Sequence, residues 1–178
     1  MDKIIVDIDN THWDFATVLY ERMRAIDPAV TPPQEWHVFD FFKAYISTKT
    51  FYKIIKSIHM DQDQFLPSSD AQSFLASLKK MGFHIIIASH REKGTLGATV
   101  RWLQQNNLVF DELHLSNDKT VLFDECVAVI DDSPSILSKA ADAGIIGTGL
   151  KMPWNEHEGY PLFDSLTEIL RYIEERRG

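Results

Sequence analysis

The chain has a single cysteine, Cys126, among 178 residues. One thiol cannot close an internal disulfide and cannot supply a multi-cysteine zinc site. Long apolar runs are missing as well: nothing approaches the ~20 consecutive apolar residues of a membrane helix. Positive charge is scarce. Eighteen Lys and Arg stand against 26 Asp and Glu, a net charge of −8, which argues against a broad cationic groove for duplex nucleic acid. The sequence shows no internal repeat, low-complexity tract or block of like charge. Its first residues enter a strand pattern directly, without the basic-then-apolar segment and cleavage site of a leader. A cytoplasmic protein without membrane association is therefore expected. Cys126, beside the apolar run 127–130, is expected to be a buried core thiol.

What is present is enough for one domain with a modest insertion: 44% hydrophobic and 25% charged residues, in the range of ordinary globular chains. Residues 3–8 read as a continuous apolar strand buried on both faces, and so do 83–88 and 127–130. Residues 112–115 and 145–148 carry the same pattern in shorter form. Helices fall between them. Phe74, Leu75, Leu78 and Met81 share one face of a helix over 70–81, closed by Gly82. Leu96, Val100 and Leu103 line up over 95–107. Ser133-Pro134 has the form of an N-cap followed by proline at the first helical position. Ser165 and Glu168 are spaced as a capping box ahead of Leu166, Ile169, Leu170 and Ile173. Alternating strands and helices predict an α/β fold: a Rossmann-like parallel sheet with helices on both faces.

Residues 14–66 break the alternation. They hold helix-like stretches punctuated by Pro28, Pro32 and Pro33, and they are rich in aromatics. They read as a small helical insertion after strand 1, placed over the carboxyl end of that strand, where open α/β sheets bind ligands. The expected division is a core of residues 1–13 and 67–178 and an inserted helical unit of 14–66.

Each strand ends in polar residues. "VDIDNT" closes the first with Asp7 and Asp9. Ser89, His90 and Arg91 follow the second. Ser116-Asn117-Asp118-Lys119 follow 112–115, and Asp131-Asp132 follow "VAVI". In a parallel sheet these ends share one edge, so four carboxylates, a hydroxyl and an ammonium converge. Clustered carboxylates repel unless a cation shares the site. An all-oxygen donor set favours a hard cation, Mg²⁺ above others, commonly completed by a substrate phosphate. These parts suit phosphoryl transfer: a carboxylate that attacks phosphorus, a second that moves protons, and Ser89 and Lys119 to hold the phosphoryl oxygens. Lys93 and Lys151 compete with Lys119 for that role. A plain turn for Asp7 and Asp9, and simple helix capping for Asp131 and Asp132, are the alternatives to a site.

Taken together, these motifs resemble the haloacid dehalogenase-like (HAD) phosphohydrolase superfamily. Asp7-Ile8-Asp9-Asn10-Thr11 matches its first motif, Ser89 the second, Lys119 the third and "VIDDSP" the fourth, in family order. The resemblance implies Asp7 as nucleophile and Asp9 as general acid and base. It implies Mg²⁺ held by Asp7, the Asp9 backbone carbonyl, Asp131 and Asp132, directly or through water. An insertion between the first two motifs matches the C1 cap position. "EWHVFDFF", "FDELHLSNDK" and "MPWNEHEG" look like the 5′-nucleotidase, or 5′(3′)-deoxyribonucleotidase, branch. There, cap aromatics stack the base of a nucleoside monophosphate. Trp36, Phe39 and Phe42 are the stacking candidates here, and His90 and Arg91 the further substrate candidates. Asn10 stands where Gly is more frequent, in a turn geometry that Asn tolerates. "SHRE" replaces a Thr-Ser pair, and the cap is short; both bear on the choice of substrate, not on the chemistry.

The expected activity is thus hydrolysis of a small phosphorylated metabolite, a nucleotide first. Another small phosphoester, or a terminal phosphate on nucleic acid, is the alternative substrate. An alternative of another class is a phospho-accepting receiver-like signalling module, which also gathers Asp, Ser or Thr, Lys and Mg²⁺ on a parallel sheet. Receivers, however, lack an intervening helical insertion and place the lysine last.

Overall fold

The computed structural model describes residues 1–116 and 118–176. Asn117, in the segment expected to lead to the lysine, lies outside the described residues, as does the side chain of Lys93. Six parallel strands form one sheet in the order β3-β2-β1-β4-β5-β6. They are β1 (Lys3–Val6), β2 (His84–Ser89), β3 (Glu112–Leu115), β4 (Cys126–Ile130), β5 (Ile146–Leu150) and β6 (Leu162–Phe163). β6 pairs with β5 through Gly149 and Leu150. It has two residues, too few for the alternation that reveals a strand in sequence.

Helices cover both faces. Ile4, Val6 and Ile8 face a core completed by α3 (Ala71–Lys80), α4 (Leu96–Gln105) and α6 (Leu166–Arg176). Ile5 faces the smaller opposite core with Val129, Phe123 and the residues Ile136 and Ala140 of α5 (Pro134–Asp142). Cys126 is buried there, and burial pushes its thiol up to about 11, so it packs as a small apolar side chain.

Local signals account for most helix ends. Gly82 closes α3 with a left-handed φ of 86°. The Ser165 hydroxyl accepts from the Glu168 amide, while the Glu168 carboxylate accepts from the Asp164 amide. Three expectations are corrected. Leu96 is exposed on α4, because Trp102 and Ala98, not Leu96 and Val100, fill the buried face beside Leu103. Met81 is only half-buried. Ser133 holds the cap position of α5, but its side chain makes no capping bond; the Ser133 amide instead donates to Asp131 Oδ1 at 2.9 Å.

Between β1 and α3 the chain forms α1 (Phe15–Arg24), α2 (Thr48–Met60) and three short 3-10 helices. Asp14 caps α1 and Ser47 caps α2 through hydrogen bonds to Thr17 and Thr50 amides. Aromatic stacking supplies this segment's own packing: Phe42 on Phe51 and Trp36 on Phe41, both with centroids 3.7 Å apart. Its two chain crossings lie side by side, since the Ser68 amide donates to the His12 carbonyl at 2.7 Å and Trp13 stacks on Phe65. No helix among the described residues is long and apolar enough to cross a membrane.

Candidate active site

β1 and β4 are adjacent and in register, Val6 opposite Ile130, and the Asp7 amide donates to the Ile130 carbonyl. The next residues, Asp7 and Asp131, therefore leave the sheet edge side by side. Both continue the strand face of Ile5 and Val129. Lys119 reaches between them from the segment after β3. Its ammonium donates to Asp7 Oδ1 at 2.5 Å and to Asp131 Oδ2 at 2.6 Å. Oxygens of Asp7, Asp131 and Asp132 lie within 4.8 Å of one another, and all three residues are buried.

Charge in this cluster does not balance. One ammonium faces three carboxylates. Burial and the neighbouring carboxylates, against the pull of Lys119, raise Asp7 to about 7 and Asp132 well above the ordinary carboxylate range. Lys119 is raised in turn: burial opposes its charge, but Asp131 and Asp7 outweigh burial. A buried, electron-rich set of oxygens short of positive charge is what a hard divalent cation completes. Asp7, Asp131 and Asp132 thus fit Mg²⁺ by donor chemistry.

Asp9 stands in a second arrangement. Its Oδ1 accepts from Arg91 Nη2 at 2.5 Å and from Trp13 Nε1 at 2.8 Å; its Oδ2 is 2.9 Å from His59 Nε2. Burial raises this carboxyl, but Arg91 and His59 more than offset it, and the net shift is downward. The four carboxylates expected to converge are therefore divided: Asp7 and Asp131 share Lys119 with Asp132 beside them, and Asp9 belongs to Arg91 and His59.

Supporting contacts fix both groups. Asn10 adopts φ 56°, the left-handed conformation that Asn tolerates. Its amide donates to Asp132 Oδ2 at 2.9 Å while its oxygen caps the Ala16 amide. Buried Asn155 donates to the carbonyls of Asp132 and Leu150 and accepts from the Met152 amide. On β5, a Cβ on Gly149 would sit 2.0 Å from the Asp131 carbonyl oxygen, so the Asp131 backbone rests directly on glycine.

The clusters form the floor of a cavity of about 670 Å³. Ser89 lines it, buried, and its hydroxyl accepts from Arg91 Nε at 3.1 Å. His90 lines it at the surface; burial and Lys119 lower its pKa. Arg91 is turned inward and spent on Asp9, Ser89 and Thr99. The opposite wall is aromatic and comes from the helical segment, with Trp36, Phe39, Phe41, Phe51 and Tyr52. Trp36 is nearly fully buried and donates to the Thr31 carbonyl, whereas Phe39 is 58% exposed. Phe42 stacks behind the wall on Phe51 and does not line the cavity. Lys151 is half-exposed beside Glu156 and away from the cavity.

Several contributors were not singled out from sequence. His59 falls on the buried stripe of α2 with Phe51, Ile54 and Ile58, where a core histidine is the plain reading. Asn155, Gly149 and Thr99 act on other site residues through contacts distant in sequence. Trp13, four positions beyond Asp9, carries no signal beyond its apolar ring, yet its indole N–H donates to Asp9 Oδ1.

No family model and no curated protein matches the chain. Solved structures do. A HAD-superfamily hydrolase from Ehrlichia chaffeensis matches with TM-score 0.62 at 17% identity, covering 100% of both chains. A HAD hydrolase of family IA, variant 3, from Entamoeba histolytica matches with TM-score 0.61 at 16% identity, covering 94% of this chain and 95% of that one. The D,D-heptose 1,7-bisphosphate phosphatase from B. bronchiseptica, complexed with magnesium and phosphate, gives TM-score 0.57 at 14% identity over 99% of both chains. The chain thus shares its fold with these solved hydrolase structures.

Proposed function

We propose that this protein is a Mg²⁺-dependent phosphomonoester hydrolase that works through an aspartyl phosphate on Asp7. Its preferred substrates are nucleoside or deoxyribonucleoside 5′-monophosphates, and residues 14–66 act as a cap of the C1 type. One observation carries the reading: the buried Asp7–Lys119–Asp131 cluster, with Asp132, floors a cavity whose facing wall is aromatic. The fold shared with a phosphatase that binds magnesium and phosphate supports it.

Mg²⁺ on Asp7, Asp131, Asp132 and the Asp9 backbone carbonyl would supply the charge that neutralises the phosphoryl oxygens. The protein's own residues do the rest. Asp7 presents a carboxylate oxygen for in-line attack on phosphorus, and the bond to the leaving alkoxide breaks. Lys119, already on Asp7, and the Ser89 hydroxyl bind the equatorial oxygens as charge shifts to them. Asp9 gives the leaving oxygen a proton. It then takes one from the water that attacks the aspartyl phosphate, releasing phosphate and restoring Asp7. Arg91 and His59 favour the ionised form of Asp9, which the second half requires. The first half needs the protonated form, which the negative charge of a bound phosphoester favours. The aromatic wall, with Phe39 at its open edge, suits a planar base stacked above the phosphate.

The test is phosphate release from a panel of ribo- and deoxyribonucleoside 5′- and 3′-monophosphates and simple alkyl and aryl phosphates, with Mg²⁺ and with chelator. Turnover of nucleoside 5′-monophosphates that needs the metal and disappears in Asp7→Asn is expected. Stable phosphorylation of Asp7 by a small phosphodonor, with no ester turned over, would instead identify a phospho-accepting module. Independently of turnover, Mg²⁺ should raise the Tm of the wild type and leave that of Asp131→Asn unchanged.

A further inference from the structure

Asp9 is held from both sides of the cavity. Arg91 and Trp13 hold Oδ1 from the sheet side. Among the described residues, Oδ2 is met only by His59, from α2 of the helical segment. The His59 side chain is 3% exposed, and its ring lies 5.5 Å from that of Phe15, so its direction is set by packing. The same helix is tied to the core through Lys56–Glu92 at 2.6 Å. Trp13, next to the chain crossing, is wedged between Phe15, Phe65 and Trp102. The carboxylate rotamer thus depends on three side chains, of which His59 comes from α2.

We propose that His59 is a positioning residue that makes the geometry of the Asp9 carboxylate conditional on α2 lying over the sheet edge. Proton transfer to the leaving group is then available only while the helical segment is docked. With α2 displaced, Asp9 Oδ2 loses its partner and the carboxylate turns toward Arg91. The inference rests on the hydrolase reading, because it assigns Asp9 its acid and base role.

The chemistry gives a selective readout. Protonation matters most for a poor leaving group, an alkoxide, and least for a good one such as p-nitrophenolate. His59→Ala should lower kcat on an alkyl phosphate by about tenfold or more beyond its effect on p-nitrophenyl phosphate, with little change in KM. His59→Gln can place an amide N–H at the same reach and should recover most of the alkyl-ester rate. Equal loss on both esters, or failure of His59→Gln to recover the rate in a variant of wild-type Tm, overturns the proposal.

A second measurement needs no turnover. The Trp13 indole N–H shares the Asp9 carboxylate, so its solvent exchange should quicken in His59→Ala and return toward wild type in His59→Gln. Unchanged exchange overturns the positioning role. Wild-type protein inactive on both esters with Mg²⁺ overturns the hydrolase reading instead, and the acid–base role with it; the exchange result then stands as a statement about geometry alone.

Discussion

The sheet edge and the helical segment face each other across one cavity, yet they are built on different physics. At the sheet edge, backbone hydrogen bonds set positions. Asp7 and Asp131 emerge together because β1 and β4 are paired, and Gly149 lets the Asp131 backbone settle against β5. The result is a buried cluster of like charges that folding alone would not favour. Across the cavity, side-chain packing sets positions. Trp36, Phe41, Phe42 and Phe51 stack in pairs, and the wall is shaped by what fits. One side gathers buried charge at a cost in stability; the other gains stability from the aromatic rings that line the cavity.

Substitutions at the sheet edge should separate activity from stability most sharply. Asp7→Asn removes a charge from an overcrowded cluster. Turnover should fall roughly 10⁴-fold or more while Tm stays level or rises. Lys119→Met does the reverse to the balance, leaving three carboxylates without a cation. It should abolish turnover and also destabilise the protein by about 3–5 kcal/mol in urea unfolding at neutral pH. Equal Tm for the two variants would break the contrast.

Gly149→Ala pushes on the Asp131 backbone carbonyl while leaving every ionisable side chain of the site in place. A displacement near 1 Å should cost about 100-fold in kcat, with KM for an aryl phosphate nearly unchanged.

At the chain crossing, His12 is fully buried and neither ring nitrogen has a partner among the described residues. Burial lowers its pKa to about 3, against about 6.5 unfolded. Between these values the unfolded chain binds the extra proton, so stability is whole above about pH 6.5 and declines as pH falls. His12→Leu should remove that slope. Between pH 7.5 and 5 the wild type should lose about 2 kcal/mol more than the variant.

On the aromatic wall, Phe39→Ala should be the mildest change. Its ring is largely exposed, so Tm should hold. KM for a nucleoside monophosphate should rise about tenfold, while p-nitrophenyl phosphate is spared. Trp36→Ala is the control for the packing side: Trp36 is buried on Phe41 and hydrogen-bonded to Thr31, so its loss should cost about 3–5 kcal/mol of stability.

The parallel sheet, the helices between its strands and the grouping of Asp7, Lys119, Asp131 and Asp132 were legible in the sequence. Strand and helix periods are local, and a parallel sheet brings strand ends to one edge whatever the loops do. What the sequence could not reveal is how the four carboxylates divide. Arg91 follows Ser89 by two positions and reads as a residue facing substrate, but it turns inward to Asp9 and Thr99. Trp36, Phe39 and Phe42 read alike as stacking candidates, yet only the first two line the cavity.

Sequence by itself determined the elements and the polar residues at their ends, because hydrophobic period and turn chemistry act over a few residues. Tertiary structure alone decided which partner each charge received. His59 meets Asp9 across 50 positions and Asn155 meets Asp132 across 23. Such pairings depend on the angle at which a packed helix or loop crosses the sheet edge, and that angle is set by the sum of many side-chain contacts, with no local pattern to announce it.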